Sequence, residues 1–156
     1  MFEYRLVSFS EEHTETMYDL IKRTLTGTYS SIYNTDFIDY FLSYNEPCNI
    51  LSDSKNGHSV LCFSNRLLIG TGCVVNTNIR RVFVLPEYQR NGIGAHIVKY
   101  LEDKVKKNGL SFVELYAMLP VVEFYKKLCY TELFDCIYKT SDGNPVNYMR
   151  MIKLLR

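Results

Sequence analysis

The fold is decided by residues 82–94, which read VFVLPEYQRNGIG. The apolar start of this stretch predicts the end of a strand, and Pro86 terminates it because proline cannot donate to a sheet ladder. Gly92 and Gly94 then lead into a helix whose apolar residues fall four apart, at Ile93, Ile97, Leu101 and Val105. The stretch therefore predicts a strand, a glycine-containing turn and an amphipathic helix in succession.

This turn has the composition of a phosphate-binding site. The free N–H groups of a first helical turn point outward at the positive end of the helix dipole, and glycines let an anion approach them closely. Arg90 adds a positive charge. The same pattern also suits a purely structural helix start. A dinucleotide fingerprint fits less well because Ile97 stands where its third glycine belongs, and a Walker A loop is excluded because no Gly-Lys-Ser/Thr sequence occurs.

The segment before the turn predicts a strand, two helices and an antiparallel meander. After a strand at residues 4–7, Ser8-Phe9-Ser10-Glu11 matches a capping box, and the helix that follows should end at Gly27. A second, shorter helix is predicted after Thr35, and Pro47 closes that region. Three strands are then predicted, with Ser64-Asn65-Arg66 as the first hairpin turn. These strands cover residues 60–63, 67–75 and 79–85.

The segment after the long helix alternates strands and one short helix. Asn108-Gly109 stops the long helix, and Asp142-Gly143 is predicted as a late turn. Strands are expected at residues 112–116, 133–138 and 147–154, with a helix at 121–128. No repeat, linker or low-complexity stretch occurs. The sequence therefore predicts one α/β domain over residues 1–156, with a mixed sheet flanked by helices.

Composition narrows the classes of function. The chain has 18 Lys and Arg against 17 Asp and Glu, which argues against a general nucleic-acid binder. No apolar run approaches the roughly 20 residues that span a bilayer, and the N-terminus does not resemble a signal peptide. The five cysteines form no CxxC pair and are expected to be buried free thiols, and the three histidines are scattered. We therefore expect a cytoplasmic protein with no metal site and no nucleic-acid or membrane partner.

Two segments carry a resemblance to a known family. Residues 82–94 resemble the acetyl-CoA loop of GNAT superfamily N-acetyltransferases, in which (Q/R)-x-x-G-x-(G/A) follows a V-x-P strand end. Gln89, Gly92 and Gly94 occupy the three defining positions. Residues 115–118 and 124–130 are similar to the second signature of that family, a strand followed by a helix that carries F-Y-x-K-x-G-F. The two signatures occur in the family's order.

The resemblance implies a GNAT-like fold and a binding mode for acetyl-CoA. The strand that ends at Val84 should splay from the strand near Leu115, and the pantetheine arm should lie in the V-shaped gap. An N–H near Val84 would polarise the thioester carbonyl. Acetyl would then pass directly to a primary amine of a small-molecule or protein acceptor. The expected cofactor-binding residues are Phe83, Val84, Gln89, Arg90, Asn91, Gly92, Ile93, Gly94 and Ala95.

The resemblance also implies catalytic groups. Tyr125 aligns with the tyrosine that family members use as a general acid toward the departing thiolate, although a packed helix tyrosine explains it as well. Residues 78–81 lack the carboxylate that many members use as a base. Glu114 and Glu87 are the nearest candidates, but a solvated surface charge is the simpler explanation for each. The base therefore stays unassigned.

The chain departs from the family pattern at one position, and alternative interpretations of several residues and of the function stay open. Cys129 stands where the family prefers glycine, which would cost roughly 1–2 kcal/mol in a left-handed conformation. Tyr29 and Tyr33 are candidates for an acceptor pocket or for ordinary loop packing. A non-catalytic acyl-CoA-binding sensor is the alternative function, and a structural domain is a third. The protein is expected to be a monomer or a homodimer.

Overall fold

The computed structural model describes residues 3–140 and 143–156, and within them seven strands form one open sheet. The strand order is β1-β2-β3-β4-β5-β7-β6. Every neighbouring pair is antiparallel except β4 and β5, which are parallel. The strands are β1 Arg5–Ser8, β2 His58–Ser64, β3 Leu67–Val75, β4 Asn78–Val84, β5 Phe112–Met118, β6 Thr131–Lys139 and β7 Pro145–Leu154. This confirms the predicted mixed α/β class, including the β2–β4 meander.

Five α-helices flank the sheet in the described part of the chain. They are α1 Thr14–Tyr29, α2 Thr35–Tyr44, α3 Pro47–Asn56, α4 Ile93–Lys107 and α5 Val122–Lys127. Helices α1 and α3 pack against β3 and its neighbours, and α4 packs against β2 to β5. No helix in residues 3–140 or 143–156 has the length and apolarity needed to cross a bilayer.

Helix α4 packs directly over two glycines of β3, which leave room for its side chains. A Cβ on Gly72 would fall 2.5 Å from Ile97 Cγ2, and one on Gly70 would fall 3.0 Å from Ile97 Cδ1. The predicted apolar stripe of the helix is fully buried, at Ile93, Ile97, Leu101 and Val105. Burying each such side chain contributes about 1.5–3 kcal/mol. This packing fixes the position of the N-terminus of α4.

The sheet opens into a V between β4 and β5. These strands pair at Asn78 opposite Glu114, and the Glu114 N–H donates to the Thr77 carbonyl at 2.9 Å. Strand β4 also carries a bulge: its register against β3 shifts between Thr71 and Cys73, and Arg81 has a φ of 56°. A bulge bends a strand and increases its twist. The predicted splay beyond this point is confirmed.

Three local predictions on the N-terminal side are wrong. Ser8 belongs to β1, and the Ser10 hydroxyl lies near Glu12 and His13 instead of capping a backbone N–H, so the capping box does not form. Gly27 lies inside α1, where a Cβ would stand 3.3 Å from the Pro86 ring, so it permits close packing and does not stop the helix. Pro47 begins α3 as its first residue, a position where a missing N–H costs little.

The remaining sequence predictions concern the turns and the cysteines. Asn65 and Gly109 adopt positive φ values of 55° and 80°, as expected for a hairpin turn and a helix stop. The late turn includes Asp142, which lies outside the described residues. All five cysteines are free, but only Cys62 and Cys73 are buried. The expectation of buried thiols is therefore wrong for the two exposed ones, Cys48 and Cys129.

Candidate functional site

The loop before α4 is shaped by two left-handed residues. Arg90 has a φ of 64° and Gly92 a φ of 80°, and Gly92 is the N-cap of the helix. The His96 N–H donates to the Gly92 carbonyl at 3.0 Å, which leaves the N–H groups of residues 93–95 without an intrahelical acceptor. A turn of this kind, joined to a helix N-terminus, forms a concave site for an anion.

Two side chains of the loop hold its shape. Gln89 Nε2 donates to the Val84 carbonyl at 2.9 Å and lies 3.5 Å from Thr28 Oγ1. Asn91 Nδ2 donates to the carbonyls of Tyr88 and Gln89 at 3.1 and 3.2 Å. Because these side-chain amides bind neighbouring backbone and the Gln89 N–H donates to the Pro86 carbonyl at 3.3 Å, what this stretch offers a ligand is the backbone N–H groups of residues 90–92.

The end of β4 presents backbone to the gap. The Leu85 N–H donates to the Ile69 carbonyl of β3 at 2.9 Å. Backbone groups of successive strand residues point to opposite edges, so those of Val84 face the open side toward β5. The Val84 carbonyl is taken by Gln89, and its N–H is positioned to donate to a group in the gap.

A cavity of about 780 Å³ occupies the gap. Its lining includes every predicted cofactor-binding residue except Asn91. We call one part the cofactor half, which consists of the first turn of α4 and of Phe83, Val84, Gln89, Arg90, Gly92, Phe124 and Lys127. We call the other part the acceptor half, and it is lined by Tyr40, Phe41, Tyr44, Asn78, Arg80, Arg81, Cys136, Ile137, Tyr138 and Tyr148.

The acceptor half is mainly aromatic, and sequence reasoning missed most of it. Tyr40 of α2 stacks on Tyr138 of β6, with ring centroids 4.4 Å apart and an interplanar angle of 23°. Burial, together with Tyr138, raises the pKa of Tyr40 to about 12. Of the two predicted acceptor tyrosines, Tyr29 lines the cavity, whereas Tyr33 packs on Phe37 at 4.1 Å. These rings therefore form an aromatic wall in the acceptor half.

Tyr125 of α5 is the predicted catalytic residue. It is buried, lines the cavity, and meets Phe124 and Tyr130 edge to face at 4.9 and 5.5 Å. Burial, and secondarily Tyr29, raises the pKa of its phenol well above the usual value. Its hydroxyl makes no hydrogen bond to another side chain in the described part of the protein. The phenol therefore keeps its proton at neutral pH and is free to donate it toward the cavity.

An arginine pair occupies the strand where a carboxylate base was sought. Both Arg80 and Arg81 pair with Asp53 of α3, and Arg80 Nη1 lies 3.1 Å from its Oδ2. Arg81, whose side chain is 2% exposed, also donates to the Tyr44 carbonyl and covers the Tyr44 ring at 5.3 Å. Burial alone would raise the pKa of Asp53, but hydrogen bonds and charge from Arg81 and Arg80 outweigh it and hold the pKa below its usual value. Two adjacent arginines in a predicted buried strand were the sequence signal that a carboxylate counter-ion must lie nearby.

Neither candidate base reaches the cavity. Glu114 pairs with Arg150, and Glu87 is exposed and lies 3.3 Å from Arg23. Neither lines the cavity, so the structure does not bring them to Tyr125.

Among the residues described, no group of three His, Cys, Asp or Glu side chains could hold a metal ion. Cys129, after α5, has a φ of 71°, so the expected left-handed position is occupied by a residue other than glycine.

The sequence profile of the Acetyltransferase (GNAT) family matches residues 14–129, which include the loop, α4 and Tyr125. This chain belongs to the GNAT acetyltransferase family. A search of curated protein sequences finds no match to it. The family assignment rests on the profile and agrees with the element order seen here.

Solved structures show how closely this GNAT protein keeps the fold. A GCN5-related N-acetyltransferase (aminotransferase, class II) from Rhodopseudomonas palustris has a TM-score of 0.89 at 14% identity, with 99% of this chain and 98% of that chain covered. The PaiA N-acetyltransferase of Thermoplasma acidophilum, in complex with coenzyme A, gives 0.75 at 20% identity with 98% and 99% covered. The putative acetyltransferase YncA of Salmonella typhimurium, with its cofactor acetyl-CoA, gives 0.69 at 14% with 99% and 95% covered. At these identities the likeness establishes the shared fold.

Proposed function

We propose that this chain is an acetyl-CoA-dependent N-acetyltransferase that transfers acetyl directly to a primary amine. The observation that carries the proposal is the loop from Arg90 to Gly92 at the N-terminus of α4, which presents free N–H groups at one end of the β4–β5 gap. Family membership supports acetyl transfer. The coenzyme A and acetyl-CoA complexes of the two structural neighbours support this choice of cosubstrate.

In this proposal the cofactor half binds the donor mainly through backbone. The pyrophosphate accepts hydrogen bonds from the N–H groups of residues 90–95, and Arg90 and Lys127 add positive charge at the rim. The pantetheine arm lies along the open edge of β4 beside Phe83. The Val84 N–H donates to the thioester oxygen and stabilises the charge that develops there.

The transfer step uses Tyr125 as the general acid. The amine nitrogen attacks the thioester carbon, the C–N bond forms, and the C–S bond breaks. The leaving thiolate takes the proton of the Tyr125 hydroxyl, the nitrogen loses one proton to water, and the phenolate is reprotonated from solvent. The raised pKa of Tyr125 keeps the phenol protonated before each turnover.

Calorimetry with acetyl-CoA and with free CoA tests the proposal. The Gly92→Glu variant places a carboxylate where the pyrophosphate should lie, and Gly109→Glu is the matched control, since both glycines have a φ of 80° and open space around the Cβ position. We expect binding by the wild type and by Gly109→Glu, and a loss of about 100-fold or more in Gly92→Glu, the scale on which losing several phosphate hydrogen bonds acts. If folded wild-type protein binds neither ligand, the proposal fails.

One observation favours a second function, that of a non-catalytic acyl-CoA sensor. Among the described residues that line the cavity, none is Asp, Glu or His, so no conventional base faces the acceptor half. A sensor should bind acetyl-CoA and acetylate no amine. Release of free CoA thiol in the presence of amines separates the two functions.

We further propose that residues 1–156 act as one acetyltransferase domain in the cytoplasm, as a monomer or a homodimer. Five free cysteines, two of them exposed, fit a reducing compartment. Gel filtration with light scattering would distinguish the two oligomeric states.

A further inference from the structure

The charges around the acceptor half differ from those of a site built for an ammonium ion. Its lining contains two cations, Arg80 and Arg81, and no anionic side chain among the residues described. Asp53, which lies outside the lining, pairs with both guanidinium groups and offsets only one of their two charges. An amine that enters protonated therefore meets a net positive surface.

The protonation state of the acceptor then decides whether it can react. A primary alkyl amine with a pKa near that of lysine is neutral in only about 0.04% of molecules at pH 7, which corresponds to a penalty of about 4–5 kcal/mol. A carboxylate or histidine in the pocket would reduce this cost by taking the proton. Without one, an amine that is already neutral at pH 7 has the advantage.

Three rings of the aromatic wall already have one face occupied, which limits its use as a cation cage. A cation binds to the face of a ring, within about 6 Å of its centroid. The guanidinium of Arg81 already lies over the Tyr44 ring, and the facing surfaces of Tyr40 and Tyr138 stack on each other. What the wall offers instead is flat apolar area with hydroxyl groups at its edge, which suits an aromatic ring.

We propose that the acceptor is an aromatic amine whose nitrogen is neutral at pH 7. This inference rests on the proposed N-acetyltransferase function. The nitrogen lone pair attacks the thioester carbon, the C–S bond breaks, and the anilide forms. The proton lost from nitrogen goes to water, while the thiolate takes its proton from Tyr125. Because the free amine needs no deprotonation, no base is required before the attack.

The test compares two amines with the same ring and different basicity. Aniline is neutral at pH 7, whereas benzylamine is protonated. We expect kcat/KM at pH 7 to be at least about tenfold higher for aniline, because nearly all benzylamine is held as the ammonium. With aniline kcat/KM should stay flat from pH 6 to 8, and with benzylamine it should rise about tenfold per pH unit. A higher kcat/KM for benzylamine at pH 7 overturns the proposal.

A charge variant tests the cause of the preference. Arg80→Gln removes one cation from the lining while Arg81 keeps Asp53 paired. The ratio of kcat/KM for benzylamine to that for aniline should rise by about three- to tenfold, as expected for one charge a few ångströms away at a protein surface. Arg66→Gln is the matched control, because Arg66 is exposed in the β2–β3 turn, and it should leave the ratio unchanged. An unchanged ratio in Arg80→Gln contradicts the electrostatic cause.

Failure of this inference is separable from failure of the proposed function. If acetyl-CoA binds and benzylamine is acetylated but aniline is not, the acceptor class is wrong and the acetyltransferase proposal stands. If acetyl-CoA binds and neither amine is acetylated, the acceptor class is again wrong, and the sensor function gains support. If acetyl-CoA does not bind in calorimetry, both proposals fail together.

Discussion

The two halves of the cavity are built in different ways. The cofactor half comes largely from one continuous stretch, β4 to the start of α4, and offers mainly backbone N–H groups. The acceptor half combines side chains from α2, β4, β6 and β7, and the charges of its two arginines are partly offset by Asp53 of α3. The comparison teaches that a ligand shared by many proteins can be bound by backbone geometry. A ligand particular to one protein is selected by side chains that converge from distant positions.

The largest expected effect tests whether the acceptor half depends on a single carboxylate. Asp53→Ala leaves the buried Arg81 without its counter-ion, which should lower the free energy of unfolding by about 3–5 kcal/mol. Urea denaturation measures this. Asp103→Ala is the control, since Asp103 pairs with Lys99 at 3.0 Å on an exposed face and should matter far less. Equal effects of the two variants would mean that the arginine cluster does not hold this half together.

The next effect concerns the proposed general acid. Tyr125→Phe should lower kcat by about 100-fold or more, because the leaving thiolate loses its proton donor. The calorimetric Kd for CoA should stay within about twofold, because the cofactor half binds through backbone. Tyr130→Phe is the control: its hydroxyl donates to buried Glu102 at 3.1 Å, away from the cavity, so stability should fall and kcat should not. An unchanged kcat in Tyr125→Phe refutes its role as an acid.

A pH titration sharpens the role of Asp53. Because its folded-state pKa lies below the usual value near 4, the ion pairs stabilise the fold above that pH. The contribution is lost as the pH falls further, through the folded-state value. The difference in unfolding free energy between wild type and Asp53→Asn should therefore narrow from pH 5 to pH 2. A difference independent of pH would show that charge is not what Asp53 supplies.

The smallest effect concerns backbone strain beside the cofactor half. Cys129→Gly should raise the free energy of unfolding by about 1 kcal/mol, because glycine adopts a φ of 71° without a Cβ penalty. Cys48→Gly, at an exposed position in the first turn of α3, should instead lower it by up to about 0.5 kcal/mol. Thermal unfolding of both variants is the measurement. The same sign in both would argue against strain at Cys129.

The sequence correctly predicted the structural features that depend on residues close together in the chain. The strand, the turn and the helix stripe from Ile93 to Val105 are dictated by neighbouring residues, so their positions were predicted correctly. The same local signals misled at Gly27 and Pro47, because each has two structural uses. Glycine permits either a helix stop or a close approach, and proline either ends a helix or begins one. Only the tertiary neighbours decide between them.

The acceptor half could not be predicted for a physical reason. Tyr40 and Tyr138 lie far apart in the chain and meet because α2 packs beside β6, which no local pattern encodes. A buried guanidinium needs a carboxylate, so the sequence could predict that Arg81 pairs with one, but not that this carboxylate is Asp53. The sequence also shows that β4 carries no carboxylate base. What this means for the acceptor could be inferred only from the residues that line the cavity.

The tyrosine lining also gives the protein a built-in optical reporter. The chain has 13 tyrosines and no tryptophan, so its near-ultraviolet emission comes from tyrosine alone. Eight of these rings line the cavity: Tyr29, Tyr40, Tyr44, Tyr88, Tyr116, Tyr125, Tyr138 and Tyr148. Because these rings line the cavity, a bound molecule should change the tyrosine fluorescence, and binding should be measurable in unlabelled wild-type protein.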